Sequence, residues 1–106
     1  MIIHDKKLID MESNKLSKEE FIKKVKSLGC VRSVEDGIVY SLTKFTNGKC
    51  VGERETGGNF TVDLDKLYDA YCENDVSNLT TTKLKDIIMG YNQSPALAIL
   101  RAVEDL

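Results

Sequence analysis

Residues 37–72, GIVYSLTKFTNGKCVGERETGGNFTVDLDKLYDAYC, decide the fold class of this chain. Asn47-Gly48 is a dipeptide suited to a two-residue reversal in which both central positions take positive φ, and Gly57-Gly58 supplies a second reversal. Around these turns Ile38, Tyr40 and Leu42 alternate with Val39, Ser41 and Thr43. Phe60, Val62 and Leu64 repeat the alternation, which is the two-residue period of a strand with one core-facing side. The middle run, Lys49 to Thr56, is less regular. Its Glu53-Arg54-Glu55 puts charge on both faces, which suits an edge strand or a solvated sheet surface. The pattern predicts a small antiparallel three-stranded meander over about 38–45, 49–56 and 59–64.

The meander runs straight into a helix. Asp63 or Asp65 can cap it, and Leu64, Leu67, Tyr68 and Tyr71 fall on one stripe of 64–73. Upstream, Leu16-Ser17-Lys18-Glu19-Glu20-Phe21 has the serine, the glutamate three residues on and the flanking apolar pair of a capping box with a hydrophobic staple. Phe21, Ile22, Val25 and Leu28 continue at helical spacing, and Gly29 stands where helices end in the left-handed conformation, so a helix is predicted over 18–28. Downstream, any of Thr80, Thr81 and Thr82 can cap a helix over 81–89 that carries Leu84, Ile87 and Ile88 and stops at Gly90. Ser94 as cap and Pro95 at the first helical position open a last helix over 95–104, with Ala96, Ile99, Leu100 and Val103 inward.

This order predicts an α+β fold, with about four helices packed on one face of an antiparallel sheet. At 106 residues, 42% hydrophobic and 30% charged with one proline, residues 1–106 read as a single small α+β domain. Residues 1–15 mix short apolar and charged groups without sustained period and read as an arm or a short strand.

Fifteen Lys and Arg against seventeen Asp and Glu leave a formal charge of -2, which provides no global field towards nucleic acid or anionic lipid. The halves differ: residues 1–50 carry ten basic and seven acidic side chains, net +3, and residues 51–106 carry five and ten, net -5. The first seven residues lack the apolar core of a signal peptide, and no run approaches membrane-spanning length. A soluble, cytoplasmic protein without a membrane partner is expected, with Cys30, Cys50 and Cys72 as reduced thiols.

No residue pattern points to a reaction. His4 is the only histidine, and a general base must be held within hydrogen-bond reach of its target, so a surface role is expected for it. The cysteines lie 20 and 22 residues apart without a C-x-x-C, which is not a zinc spacing. Cys50 and Cys72 read as buried structural thiols, and Cys30, beside Gly29 and Arg32, comes nearest to a reactive one. Asp63-x-Asp65 lacks the glycine and closing glutamate of a calcium loop. Gly52, Gly57 and Gly58 match no phosphate-binding loop and read as turn glycines, and helix capping accounts for Ser94. No catalytic, cofactor-binding or metal-binding residue is assigned, and the chain is not expected to be an enzyme.

Two surfaces remain. Lys23, Lys24 and Lys26 line the outer side of the first helix. Lys49 and Arg54 of the hairpin can join them, with Tyr40 or Phe45 available to stack on a base. Asp65, Asp69 and Glu73 follow one another at four-residue spacing on the second helix, where like charges repel by roughly 0.2–0.5 kcal/mol per pair; they form a candidate acidic docking face. The expected function is a small non-catalytic interaction module that binds a protein partner, or a second copy of itself, through opposed basic and acidic faces. The alternative is a nucleic-acid-associated domain that uses the basic helix and the β-hairpin.

Overall fold

The computed structural model describes residues 15–88, 90 and 92–106. His4 and, apart from Lys15, the arm expected over residues 1–15 lie outside them. The elements in chain order are α1 (Lys18–Ser27), β1 (Cys30–Arg32), β2 (Val39–Thr46), β3 (Lys49–Arg54), β4 (Asn59–Asp63), α2 (Leu64–Glu73), a 3-10 turn (Val76–Asn78), α3 (Thr81–Leu84) and α4 (Gln93–Glu104). The fold is α+β, with helices against one face of a four-stranded antiparallel sheet of order β1-β2-β3-β4.

The local signals act where the sequence places them. Ser17 Oγ accepts from the Glu20 amide at 3.2 Å and starts α1. Asp63 Oδ1 accepts from the amides of Asp65 and Lys66 and starts α2 with no intervening loop. Thr80 Oγ1 accepts from the Lys83 amide and starts α3. Asn47 and Gly48 both have positive φ, 52° and 73°, and close the β2–β3 hairpin directly between Thr46 and Lys49.

One face of the sheet builds the core. Val31, Tyr40, Cys50, Phe60 and Val62 pack under Phe21 and Val25 of α1, Leu67, Ala70 and Tyr71 of α2, and the almost wholly buried α4. The register between Leu42 and Lys44 shifts by one residue at Thr43. This bulge returns Phe45 to the core side, opposite Cys50, although simple alternation from Tyr40 and Leu42 would send it outward. The other face is open. It carries Cys30, Arg32, Ser41, Lys44, Thr46, Lys49, Glu53, Asn59 and Thr61, all exposed, with only Val39 and Val51 as half-buried aliphatics.

Five sequence readings are corrected or decided. First, the sheet has a fourth strand, β1; three residues with one apolar side chain give no periodic signal, and pairing to β2 alone makes them a strand. Second, of the two alternatives open for the charged middle run, the solvated sheet surface is the one found: β3 lies between β2 and β4, and Glu53 is exposed on the open face. Third, Gly52 is not a turn residue. It sits mid-strand opposite Phe60, where a Cβ would collide with the Phe60 ring and the carbonyl oxygen of Ser41.

Fourth, the helix expected over 81–89 is α3, a single turn. Ile87 and Ile88 still bond back to Leu84 O, but the carbonyls of Ile88 and Gly90 are taken by the Gln93 side-chain amide at 2.6 and 2.7 Å in place of a further helical turn. Fifth, α4 starts at Gln93 with Asn92 as its cap residue, so Ser94 lies inside the first turn. Asn92 makes no side-chain cap bond; its Oδ1 accepts from the Thr61 amide on the edge strand β4. Ser94 Oγ is instead 2.9 Å from the Tyr40 hydroxyl and 3.4 Å from Ser33 Oγ, a half-buried cluster tying α4 to the sheet. No described helix is long and apolar enough to cross a membrane.

Candidate functional site

The α1 sequence sorts its side chains by helical position. Phe21 and Val25 point into the core, and Ile22 with Lys26, one turn apart, fall on the shoulder that faces the β2–β3 hairpin. The hairpin turn brings Phe45, Thr46, Asn47, Gly48 and Lys49 to the same place, and Leu64, the first residue of α2, closes the floor. Together they outline an open groove of about 270 Å³. A second hollow adjoins it along α1 and shares Ile22 and Lys26 with it, extending the concave surface past Lys23 and Glu19. Ile22 and Phe45 are half-buried and give the groove an apolar base, and three lysines stand around it. Among the described residues no hydrogen bond or ion pair engages the side chains of Lys23, Lys26 or Lys49.

The fold therefore brings together three of the five basic residues singled out from the sequence. Lys24 does not line the groove; it is half-buried on another side of α1. Arg54 is at the opposite end of β3 from Lys49, about 17 Å away at the ordinary strand rise. Its guanidinium donates to Asn59 O at 2.8 Å and lies 5.8 Å from the Phe60 ring centroid. Of the two aromatics considered for stacking, Phe45 reaches the groove, whereas Tyr40 is 2% exposed and packs edge-on against Phe60. The sequence marked the lysines through their helical clustering, but the apolar base was not legible: Phe45 joins it through the Thr43 bulge and Leu64 through the direct strand-to-helix junction.

The acidic face lies next to this groove. Asp65, Asp69 and Glu73 are exposed along α2, which starts at the groove floor. Lys18, at the start of α1, forms an ion pair with Asp65. The hydrogen bond to Asp65, with the charges of Asp65, Asp69 and Asp63 behind it, raises the Lys18 pKa above its ordinary value. One lysine of α1 thus serves the acidic stripe within the chain, while Lys23 and Lys26 turn towards the groove.

The thiols separate by environment. Cys50 is buried among apolar neighbours, and burial pushes its pKa up to about 11, which keeps it protonated and unreactive. Cys30 is exposed, and so is Cys72, against the expectation of a buried thiol, because its position on α2 turns away from the core stripe. The hydrogen bond between Tyr68 and Cys72 is the main cause that pushes the tyrosine up to about 12. The Tyr68 hydroxyl also donates to Leu16 O at 2.8 Å, and the Leu16 amide donates to the Tyr71 hydroxyl at 2.9 Å, so two tyrosines fix the entry to α1. Among the described residues no three His, Cys, Asp or Glu side chains come together in a way that could hold a metal ion. No protein-family model matches the chain, nor does any curated protein or solved structure.

Proposed function

We propose that the protein is a non-catalytic interaction module whose groove between α1 and the β2–β3 hairpin receives an acidic segment of a protein. One observation carries this reading: Lys26 from the helix and Lys49 from the hairpin border an open groove based on Ile22 and Phe45, and among the described residues neither ammonium has a partner of its own. An apolar base rimmed by cations suits an amphipathic acidic segment, which gains burial from its apolar side and steering from its charge. The test uses a synthetic helical peptide with glutamates and leucines on one face, titrated into the labelled protein at low salt and followed by NMR shifts. Shifts should concentrate at Ile22, Lys26, Phe45 and Lys49 and disappear in Lys26→Glu/Lys49→Glu. Shifts spread over the open sheet face, or none at millimolar peptide, would refute the reading.

A nucleic-acid reading has one observation in its favour, the half-buried Phe45 ring beside Lys26 and Lys49. If Lys23, Lys26 and Lys49 contact a single strand, the affinity for a labelled oligouridine should fall with salt at a log–log slope of about -2. The burial of Tyr40, the engagement of Arg54 and the lack of aromatics among the described residues of the open face weigh against it.

A further inference from the structure

We infer that the segment received by the groove is the α2 face of a second copy, so that the chain pairs into a two-fold dimer; this rests on the protein-binding reading of the groove. Asp65, Asp69 and Glu73 repeat at one-turn intervals along about 12 Å of helix, and all three are exposed. The groove offers Lys23 and Lys26 along its α1 wall, with Lys49 at the hairpin rim, where its register with Thr46 turns it to the open sheet face. Asp65 is already engaged by Lys18, but Asp69 and Glu73 laid along the ammonium groups of the groove satisfy both, and Tyr68 and Cys72, beside the acidic stripe, present less polar surface to Ile22 and Phe45.

A two-fold contact needs patch and counter-patch on the same side of each molecule, because residue i of one copy meets residue j of the other while j meets i. The two patches are neighbours here: Leu64 belongs to the groove, Asp65 begins the acidic stripe, and the Lys18–Asp65 ion pair joins α1 to α2 beside both. Seating one α2 in the facing groove therefore brings the other α2 to the other groove. The same adjacency disfavours a polyanion, because Asp63, Asp65 and Asp69 would border bound phosphates with like charge.

The experiment is sedimentation velocity on the full chain from about 10 μM to 1 mM, in 20 mM and 500 mM salt, with Lys26→Glu and Asp69→Lys made separately. Both positions are exposed, and circular dichroism should show both variants folded. The wild-type chain should move from its 11.9 kDa monomer mass towards twice that value at low salt, with dissociation at least tenfold easier at high salt. Each variant alone should be monomeric. An equimolar mixture of the two should dimerise, since the charge-reversed groove of one variant then faces the lysine-bearing α2 of the other, and the unaltered groove faces an unaltered α2. A wild-type monomer at 1 mM and low salt would overturn the inference, as would a dimer insensitive to either substitution, or variants that fail to pair on mixing. If the wild type stays monomeric while the acidic peptide still binds at Lys26 and Lys49, the dimer alone fails; if neither occurs, the groove reading fails with it.

Discussion

The two ends of the sheet carry similar residue types and treat them oppositely. At the Gly57-Gly58 end, Arg54 covers the Phe60 ring, Tyr40 meets Ser94, Ser33 is 5% exposed, and the edge amide of Thr61 is met by Asn92. At the Asn47-Gly48 end, three lysines flank a concavity and none of them has a partner among the described residues. The difference lies in what covers each end. The start of α4 closes over the first, so polar groups there must be paired or bear the cost of burial. At the second, α1 and α2 meet the hairpin without filling the space between them. Substitutions should therefore cost stability at the closed end and little of it at the open end.

The largest effect should come from the closed end. Gly52→Ala puts a methyl group into the Phe60 ring and the Ser41 carbonyl, and should cost about 3 kcal/mol or more in urea unfolding. A loss below about 1 kcal/mol would mean that Phe60 can leave its place across β3 and that this end is less tightly closed than its contacts suggest. Next, Tyr40→Phe removes one hydroxyl of the cluster and leaves Ser94 with only the longer 3.4 Å contact to Ser33 within it, for an expected loss of about 1–2 kcal/mol. Measured together with Ser94→Ala in a double-mutant cycle, it should show coupling, which two independent hydroxyls would lack.

A third test titrates Cys50, on the strand that spans both ends. Its thiol has a pKa of about 11 in the folded chain against an ordinary 9.0. A raised folded value means that the native state holds its proton longer than the unfolded one, so its contribution is fully present below pH 9 and is lost as pH rises towards 11. Stability should decline by about 1 kcal/mol by pH 10, and Cys50→Ala, although less stable at neutral pH, should lack that slope. An identical slope in both proteins would assign the decline to other groups. Smallest of all, Lys26→Glu and Lys49→Glu at the open end should change unfolding free energy by no more than about 0.5 kcal/mol. A larger loss would show that these lysines support the fold and are not free surface.

Where the sequence was legible, a local rule was at work over a few residues. Ser17, Asp63 and Thr80 cap the helices they precede, and Asn47-Gly48 turns the chain as its dipeptide demands. The misreadings cluster where a distant partner overrides the local rule. Ser94 has the look of a cap and serves Tyr40, 54 residues away. Asn92, by contrast, caps nothing with its side chain and covers Thr61 on the sheet edge. Gly52 resembles a turn glycine because only the register opposite Phe60 reveals why no larger residue fits.

The candidate site divides in the same way. Lysines at helical spacing and carboxylates at four-residue intervals are visible in the one-dimensional string, because the helix period alone puts them on shared faces. That Lys49 joins Lys23 and Lys26 while Arg54 does not was decided by the direction of β3, which carries its two ends about 17 Å apart. The sequence by itself determined the α+β class, the turns, the caps and the charge of each helix, since each follows from backbone preference and side-chain chemistry within one or two turns of chain. Only the tertiary structure decided the fourth strand, the place of Gly52 and the groove, because these depend on which residues far apart in the chain are brought into contact.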